Sequence, residues 1–477
     1  MKIYKLLMIC LIAINPSIYS QNFIKSDGTS FTGTTDGTVH LVDVDSDGDL
    51  DCFITGDQGG SGFQGVAELY TNDGTGSFTL VSGTPFSGVE SASSEFADLD
   101  NDGDLDLILT GSISGGRIAH MYTNDGAGKF SLVAGTPFKD VSVGDVVIAD
   151  LDGDSDLDVI ISGYNTTAAA RISEVYKNDG SASFTLFTAS PTFDLANEGD
   201  VDVADVDGDN DLDILITGDT GPSELTSLYL NDGTGIFTKD VTQSTLFTDM
   251  RDSDADFADV DGDGDQDLLI NGRYSTSTRT AELYLNNGSG EFSLVAGTPF
   301  TGGNAGTVDF FDYDNDGDMD VLLSGYEEVA PNRNTRLYSN DGLGNFSEVT
   351  SETFTGINNA DVAIGDINGD SKKDIIILGY SSTRIAEIYL NSTATSNASH
   401  ILLNEEVQVY PNPTNDIINI DLFGEIPESI DIINSTGQVL FSTNSYKGID
   451  ISDLSDGIYF VKINFNGTSY AKKIIKK

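Results

Sequence analysis

Tryptophan is absent from this chain, histidine occurs three times, cysteine twice, and only 23 of its 477 residues are basic. Two cysteines cannot make the disulfide framework that staples many exported domains. Cys10 lies in the N-terminal apolar run, where the preceding Ile9 is too bulky for a lipoprotein signal, so it is expected to leave with that segment. Cys52 aligns with Leu107, Val159, Ile214, Leu268, Val321 and Ile375 at one position of an internal repeat, which makes it a core residue and not a reactive thiol. General acid–base catalysis needs unlike groups converging with perturbed pKa values. His40, His120 and His400 are scattered, and His120 stands where other repeats have Glu68, Glu174, Glu282 and Glu387. Long apolar runs are missing too. The first twenty residues, with Lys2, Lys5 and "LLMICLIAI", read as a secretory signal cut after Ser20, and no later stretch is long and apolar enough for a transmembrane helix.

Acid is what the chain has in excess, with 77 Asp and Glu and a formal charge of -54. Residues 1–20 carry +2 and residues 405–477 carry 6 minus 10, or -4, so residues 21–404 hold -52. Such a surface repels nucleic acid and anionic membranes, and no nucleic-acid partner is expected. The acid is concentrated in loops such as "DLDNDGDLD", residues 98–106. Carboxylates on alternate residues, with a glycine for the sharp turn, are what a hard divalent ion such as calcium requires. The loop recurs from Asp43, Asp98, Asp150, Asp205, Asp259, Asp312 and Asp366, at intervals of 55, 52, 55, 54, 53 and 54 residues. Seven copies at so regular a period mark a repeat architecture and argue against ordinary solvated turns.

Up to seven Ca2+ ions are therefore expected, each held by positions one, three, five and nine and by the carbonyl of position seven. The ligand sets are Asp43, Asp45, Asp47, Asp49 and Asp51; Asp98, Asp100, Asp102, Asp104 and Asp106; Asp150, Asp152, Asp154, Asp156 and Asp158; Asp205, Asp207, Asp209, Asp211 and Asp213. The fifth to seventh sets are Asp259, Asp261, Asp263, Asp265 and Asp267; Asp312, Asp314, Asp316, Asp318 and Asp320; and Asp366, Asn368, Asp370, Lys372 and Asp374. With Asn368 at its third position and Lys372 and Lys373 nearby, the seventh is expected to bind most weakly. In the third, fourth and fifth loops a glycine (Gly153, Gly208, Gly262) precedes the third ligand, and position six is Ser155, Asn210 and Gly264.

Each period contains four strand-like runs, in the second copy "SSEFADLD", "LDLILTG", "RIAHMYTN" and "KFSLVAGTPF", joined by glycine-rich turns. Four strands in about fifty residues suit a β-propeller blade. The last repeat lacks its fourth strand. The N-terminal run supplies it: Phe23 and Phe31 are eight apart, as are Phe78 and Phe86, Phe130 and Phe138, Phe292 and Phe300, and Phe346 and Phe354. The expectation is an all-β chain: a seven-bladed β-propeller over 21–391 with a calcium loop in each blade, closed by its N-terminal strand. A linker, 392–404, and a small C-terminal β-sandwich, 405–477, follow.

The acidic repeats, residues 22–391, resemble the FG-GAP or VCBS family, whose blades carry such calcium loops and which includes the integrin alpha-chain propeller. In the tail, "YPNP" (410–413), "STGQVL" (435–440), "LSDGIYFVKI" (454–463) and a basic end resemble the type A sorting domain of the type IX secretion system. That resemblance implies passage across the outer membrane by that machinery, followed by release or surface attachment.

Function is expected to be binding or adhesion, to a protein or a glycan, without catalysis. The alternatives are a polysaccharide lyase or glycosidase on the same ring, or a scaffold in a surface assembly. Arg117, Arg171, Arg279, Arg333 and Arg384 each precede a third-strand tyrosine by five residues, on the end of the blade opposite the acidic loops. Repetition at one blade position favours pairing with a neighbour's acid over a ring that grips a ligand. Residues that break the repeat are the better ligand candidates: Tyr164, Arg273, Tyr274, Tyr326 and Arg333.

Overall fold

The computed structural model describes residues 21–26, 28, 30–188, 193–274, 278–327, 332–393, 408–421, 429–434, 439–455, 457–465 and 468–477. The expected signal segment (residues 1–20), most of the expected linker and residues 435–438 of the tail motif lie outside the described residues. Residues 21–392 form one compact unit, and the chain from Thr393 onward belongs to another.

The first unit is built from four-stranded antiparallel sheets, seven in number among the described residues. Sheet two is representative, running Glu90–Ala97, Asp106–Ile113, Gly116–Thr123 and Ser131–Val133 in sequential order. The first strands of sheets one and three to six are Val39–Val42, Val146–Ala149, Val201–Ala204, Arg251–Ala258 and Val308–Phe311. Sheet seven takes Asn358–Gly365, Asp374–Tyr380 and Arg384–Thr393, and its fourth strand is the N-terminal Gln21–Ser26. The second strands are apolar and covered on both faces, as in Asp106–Ile113, where six successive residues are buried. Register repeats as well: Cys52, Leu107, Val159, Ile214, Leu268, Val321 and Ile375 each oppose the third-strand tyrosine. Cys52 is fully buried in that role. One helix, Val241–Leu246, sits between sheets four and five, capped by the Asp240 carboxylate.

Consecutive sheets are joined by aromatic and backbone contacts. Phe86, after sheet one, packs edge-on against Tyr122 of sheet two at 5.2 Å, and the N–H of Ser87 donates to that tyrosine's hydroxyl at 3.1 Å. The same pair recurs as Phe31–Tyr70, Phe138–Tyr176, Phe193–Tyr229, Phe247–Tyr284, Phe300–Tyr338 and Phe354–Tyr389. Seven backbone hydrogen bonds also run from sheet to sheet. Ala92 donates to the carbonyl of Asp36, Val143 to Ser91, Glu198 to Val143, Asp252 to Glu198, Ala305 to Asp252 and Asn359 to Ala305; Asp36 donates to Asn359, returning to the start. The seven residues supplying these carbonyls have φ between 43° and 57°. That conformation is strained for any side chain, most of all for β-branched Val143.

The C-terminal unit has a three-stranded sheet of Gln408–Tyr410, Ile417–Asp421 and Ile449–Asp450, and a four-stranded sheet of Val439–Thr443, Ser429–Asn434, Gly457–Phe465 and Thr468–Lys476. One isoleucine-rich core, including Ile418, Ile430, Ile449 and Val461, draws on both sheets. This is a small β-sandwich.

Candidate metal centres in the acidic loops

Each acidic loop joins the first strand of a sheet to the second and is shaped by its own carboxylates. Asp43 accepts the N–H of Asp47 at 3.2 Å on one oxygen and that of Gly48 at 3.0 Å on the other, while Asp47 accepts Asp49 N–H at 3.0 Å. The chain reaches this turn through two left-handed residues, at positions four and six. In the first loop these are Ser46 (φ 60°) and Gly48 (φ 95°); in the third they are Gly153 (φ 75°) and Ser155 (φ 75°). The glycine shift seen in the sequence is thus an exchange between two positions with the same requirement.

Position nine is the buried anchor. Asp51 accepts Val44 N–H at 3.3 Å and Asn72 N–H at 2.8 Å, and equivalent pairs hold Asp106, Asp158, Asp213, Asp267, Asp320 and Asp374. Burial pushes these carboxyls up, Asp51 to about 6 and Asp106 to about 7, against the opposing pull of the two N–H donors.

Position three shows whether an ion fits. Asp45, Asp152, Asp207 and Asp261 each keep one carboxylate oxygen buried with no hydrogen-bond partner. Carboxylate oxygens converge within 4.8 Å in the groups Asp43–Asp45–Asp51, Asp98–Asp100–Asp102, Asp150–Asp152–Asp158, Asp205–Asp207–Asp213 and Asp259–Asp261–Asp263. A buried carboxylate oxygen without a donor is costly, and three carboxylates this close repel, so the arrangement fits a hard cation. Two loops differ. Lys177 places its ammonium against the other oxygen of Asp152, and Lys372 lies 3.6 Å from Asp370 in the seventh loop, where it supplies positive charge of its own.

A set of residues that the sequence reading passed over ties these loops together. Asn124 of sheet two donates its side-chain amide to the carbonyl of Leu105 in its own loop at 3.2 Å and to that of Val44 in the preceding loop at 2.8 Å. Asn72, Asn178, Asn231, Asn286, Asn340 and Asn391 likewise reach Ile367, Leu99, Leu151, Val206, Val260 and Tyr313. All seven are buried. Their signal was available: each follows the third-strand tyrosine by two, a Tyr-x-Asn repeated seven times.

The arginines are engaged between sheets. Arg171 donates to Asn197 at 2.5 Å and to Asp219 at 3.0 Å, Arg384 to the carbonyl of Asp57 at 2.9 Å and to its carboxylate, and Arg117 to Ser142 at 2.6 Å. Four of the five ligand candidates have aromatic or charged partners within the protein. Arg117 stacks over Tyr164 at 5.1 Å; Tyr326 takes Arg279 at 5.0 Å and Arg333 at 5.7 Å; Arg273 pairs with Asp252 at 2.6 Å. The contacts of Tyr164, Tyr326 and Arg333 run between sheets, whereas Arg273 and Asp252 belong to neighbouring strands of sheet five. Tyr274 remains exposed.

A model of the FG-GAP-like repeat matches residues 43–109, 98–161, 150–216, 205–270, 273–323 and 329–377, stretches that include all seven acidic loops. The chain belongs to the FG-GAP-like repeat family. A second model, the secretion system C-terminal sorting domain, matches residues 408–477. This FG-GAP-like protein is therefore exported by type IX secretion, to the cell surface or beyond it. No helix among its described residues is long and apolar enough to cross a membrane. Comparison with curated proteins found no match.

Proposed function

We propose that the chain is a closed seven-bladed β-propeller, loaded with calcium, that works at the surface or outside the cell as a non-catalytic binding module for a protein or a glycan. The observation that carries the calcium reading is the buried, partnerless oxygen at position three of four loops, facing two further carboxylates. The circuit of seven backbone hydrogen bonds and the N-terminal strand in sheet seven support closure of the ring. Export together with FG-GAP-like repeats supports a binding role.

Positions one, three, five and nine would hold the ion with their carboxylates (the Asn368 amide oxygen at position three of the seventh loop), and position seven with its carbonyl. Bound there, calcium supplies neutralising charge: seven ions at two charges each cancel 14 of the -52 on residues 21–404. The loop residues preshape the site by fixing the first, fifth and ninth carboxylates through backbone N–H groups before any ion arrives.

Calorimetric titration with calcium, paired with melting in calcium and in chelator, tests the metal reading. About seven ions and a sharply lower melting temperature in chelator are expected; few ions and an unchanged melt would refute it. A glycan array and a panel of surface proteins, each probed with and without calcium, test the binding role. Reducing ends released from a bound glycan would overturn the non-catalytic assignment.

A further inference from the structure

Arginines at one position of the repeat meet different partners in the next sheet. Arg384 and Arg171 find an acid, Asp57 and Asp219, each the residue that follows a glycine in a second strand. Arg333 of sheet six finds Tyr380 at that same place in sheet seven. Its guanidinium carbon lies 4.8 Å from the Tyr380 ring centroid and 5.7 Å from that of Tyr326, and its Nε donates to Asn358 at 2.5 Å. Its two terminal amino groups meet no acceptor among the described residues. In a chain with 77 acidic side chains and 23 basic ones, an arginine with no carboxylate partner stands out.

Arg333 lines a cavity of about 510 Å³ between sheets six and seven. The other charged groups of its wall are engaged: Arg336 pairs with Glu327 at 3.1 Å and approaches Glu348 to 3.7 Å, and Glu352 accepts the N–H of Phe23 at 2.8 Å. The wall also carries hydroxyls. Thr353, with Ser381 and Ser382 in the turn after Tyr380, has a side chain without a hydrogen-bond partner among the described residues. We infer that this cavity binds a glycan through an acidic sugar, whose carboxylate or sulfate is taken by the Arg333 guanidinium and whose hydroxyls are taken by Thr353, Ser381 and Ser382. The inference rests on the binding role proposed above and gives that role a ligand and a place.

Chemistry selects the ligand class. A guanidinium is planar, always charged, and offers paired donors that match two oxygens of a carboxylate or sulfate. With Nε held by Asn358 and two tyrosine rings flanking the group, the pair left for a ligand is the outer one. The same contacts fix the side chain before any ligand arrives, which lowers the ordering cost of binding. Hydroxyl side chains both donate and accept, as sugar hydroxyls do. A polyanionic chain would be repelled by the -52 carried by residues 21–404, so the ligand is a glycan with isolated acidic sugars among neutral ones.

The test is an array of neutral oligosaccharides, the same oligosaccharides ending in glucuronic acid or in a sulfated sugar, and an acidic peptide, probed with the full chain beside the panel of surface proteins. Wild type should bind uronate- or sulfate-bearing members over neutral ones, and the two acidic arms tell which anion is preferred. Arg333→Gln should weaken that binding at least tenfold. Tyr380→Asp supplies the acid that Asp57 and Asp219 provide elsewhere in the ring of sheets, so it should melt within a few degrees of wild type and weaken binding as much. Should Arg333→Gln fail to fold, Tyr380→Asp decides alone. Acid-dependent binding that survives in the folded variants would overturn the site, as would preference for the acidic peptide. If neutral glycans or surface proteins bind and acidic sugars do not, the binding role stands and this site falls; if nothing binds, both fall.

Discussion

Replacing Asn124 by alanine should weaken two metal centres at once. The side chain is buried and makes three hydrogen bonds: to Val44 at 2.8 Å, to Leu105 at 3.2 Å, and from the N–H of Asp125 at 2.9 Å. At about 1 kcal/mol net for each bond, Asn124→Ala should cost about 3 kcal/mol of unfolding free energy. One bond ends in the first loop, so about 1 kcal/mol falls there, or roughly a fivefold loss of affinity. One ends in the second loop, for another loss of about 1 kcal/mol or roughly fivefold there, and the third, from Asp125, lies in the turn after the third strand. Urea unfolding followed by circular dichroism reads the stability, and calorimetric calcium titration reads the sites. A weak phase worth two ions should separate from the rest. If only one ion weakens, the asparagine serves its own sheet and the coupling argument fails; if neither stability nor binding moves, the hydrogen bonds contribute nothing measurable.

Asp207→Asn should reverse sign with the ion: in calcium it loses one ion and lowers the melting temperature, whereas in chelator, where it relieves a partnerless buried oxygen, it leaves the melt unchanged or slightly raised. A lower melt in both conditions would sink the metal reading of that loop. Arg171→Ala, which removes the bonds to Asn197 and Asp219, should cost about 1–2 kcal/mol in urea unfolding. Unchanged stability would return the arginines to the list of ligand contacts. In chelator, stability should fall between pH 5 and pH 8. Burial raises Glu95 and Asp361 to about 7 and Asp202 to about 8, so the folded chain holds protons that the unfolded chain has already released. Stability gained below the unfolded carboxylate range is then lost as pH rises through these values; a melting temperature that climbs over this window would contradict it.

Features written in local sequence were legible. The loops, their spacing, the four runs of each repeat and the missing last strand follow from alternation, turn residues and period, and Gln21–Ser26 lies where that count requires it. Contacts between neighbouring sheets were not. Asn124 and Val44 are 80 residues apart, so only the recurrence of Tyr-x-Asn hinted at their bond. Tyr164 and Tyr326 break the repeat because stacking substitutes for the acid that Arg171 and Arg384 find at that place, an exchange between neighbours that one position cannot reveal, whereas Arg273 pairs with Asp252 of its own sheet. Val143 carries no sign of a left-handed backbone, since its neighbours in the circuit impose it. Asp200, Asp254 and Asp361 line a cavity between the first strands of the sheets and lie outside the loops, a placement that an acidic composition alone does not reveal.

The seam in sheet seven has a mechanical meaning. The strand that leads into the sorting tail, Arg384–Thr393, lies between Asp374–Tyr380 and the N-terminal Gln21–Ser26. Tension arriving through the tail therefore runs along a strand gripped on both flanks and must shear two ladders of hydrogen bonds together, instead of peeling one edge strand bond by bond. Lys25–Glu387 at 2.7 Å and Ser392 Oγ to the carbonyl of Asn22 at 3.0 Å pin the flank made by the chain's first strand. A molecule held by its tail and pulled through its repeats would thus bear load where the first and last strands of the repeat unit pair.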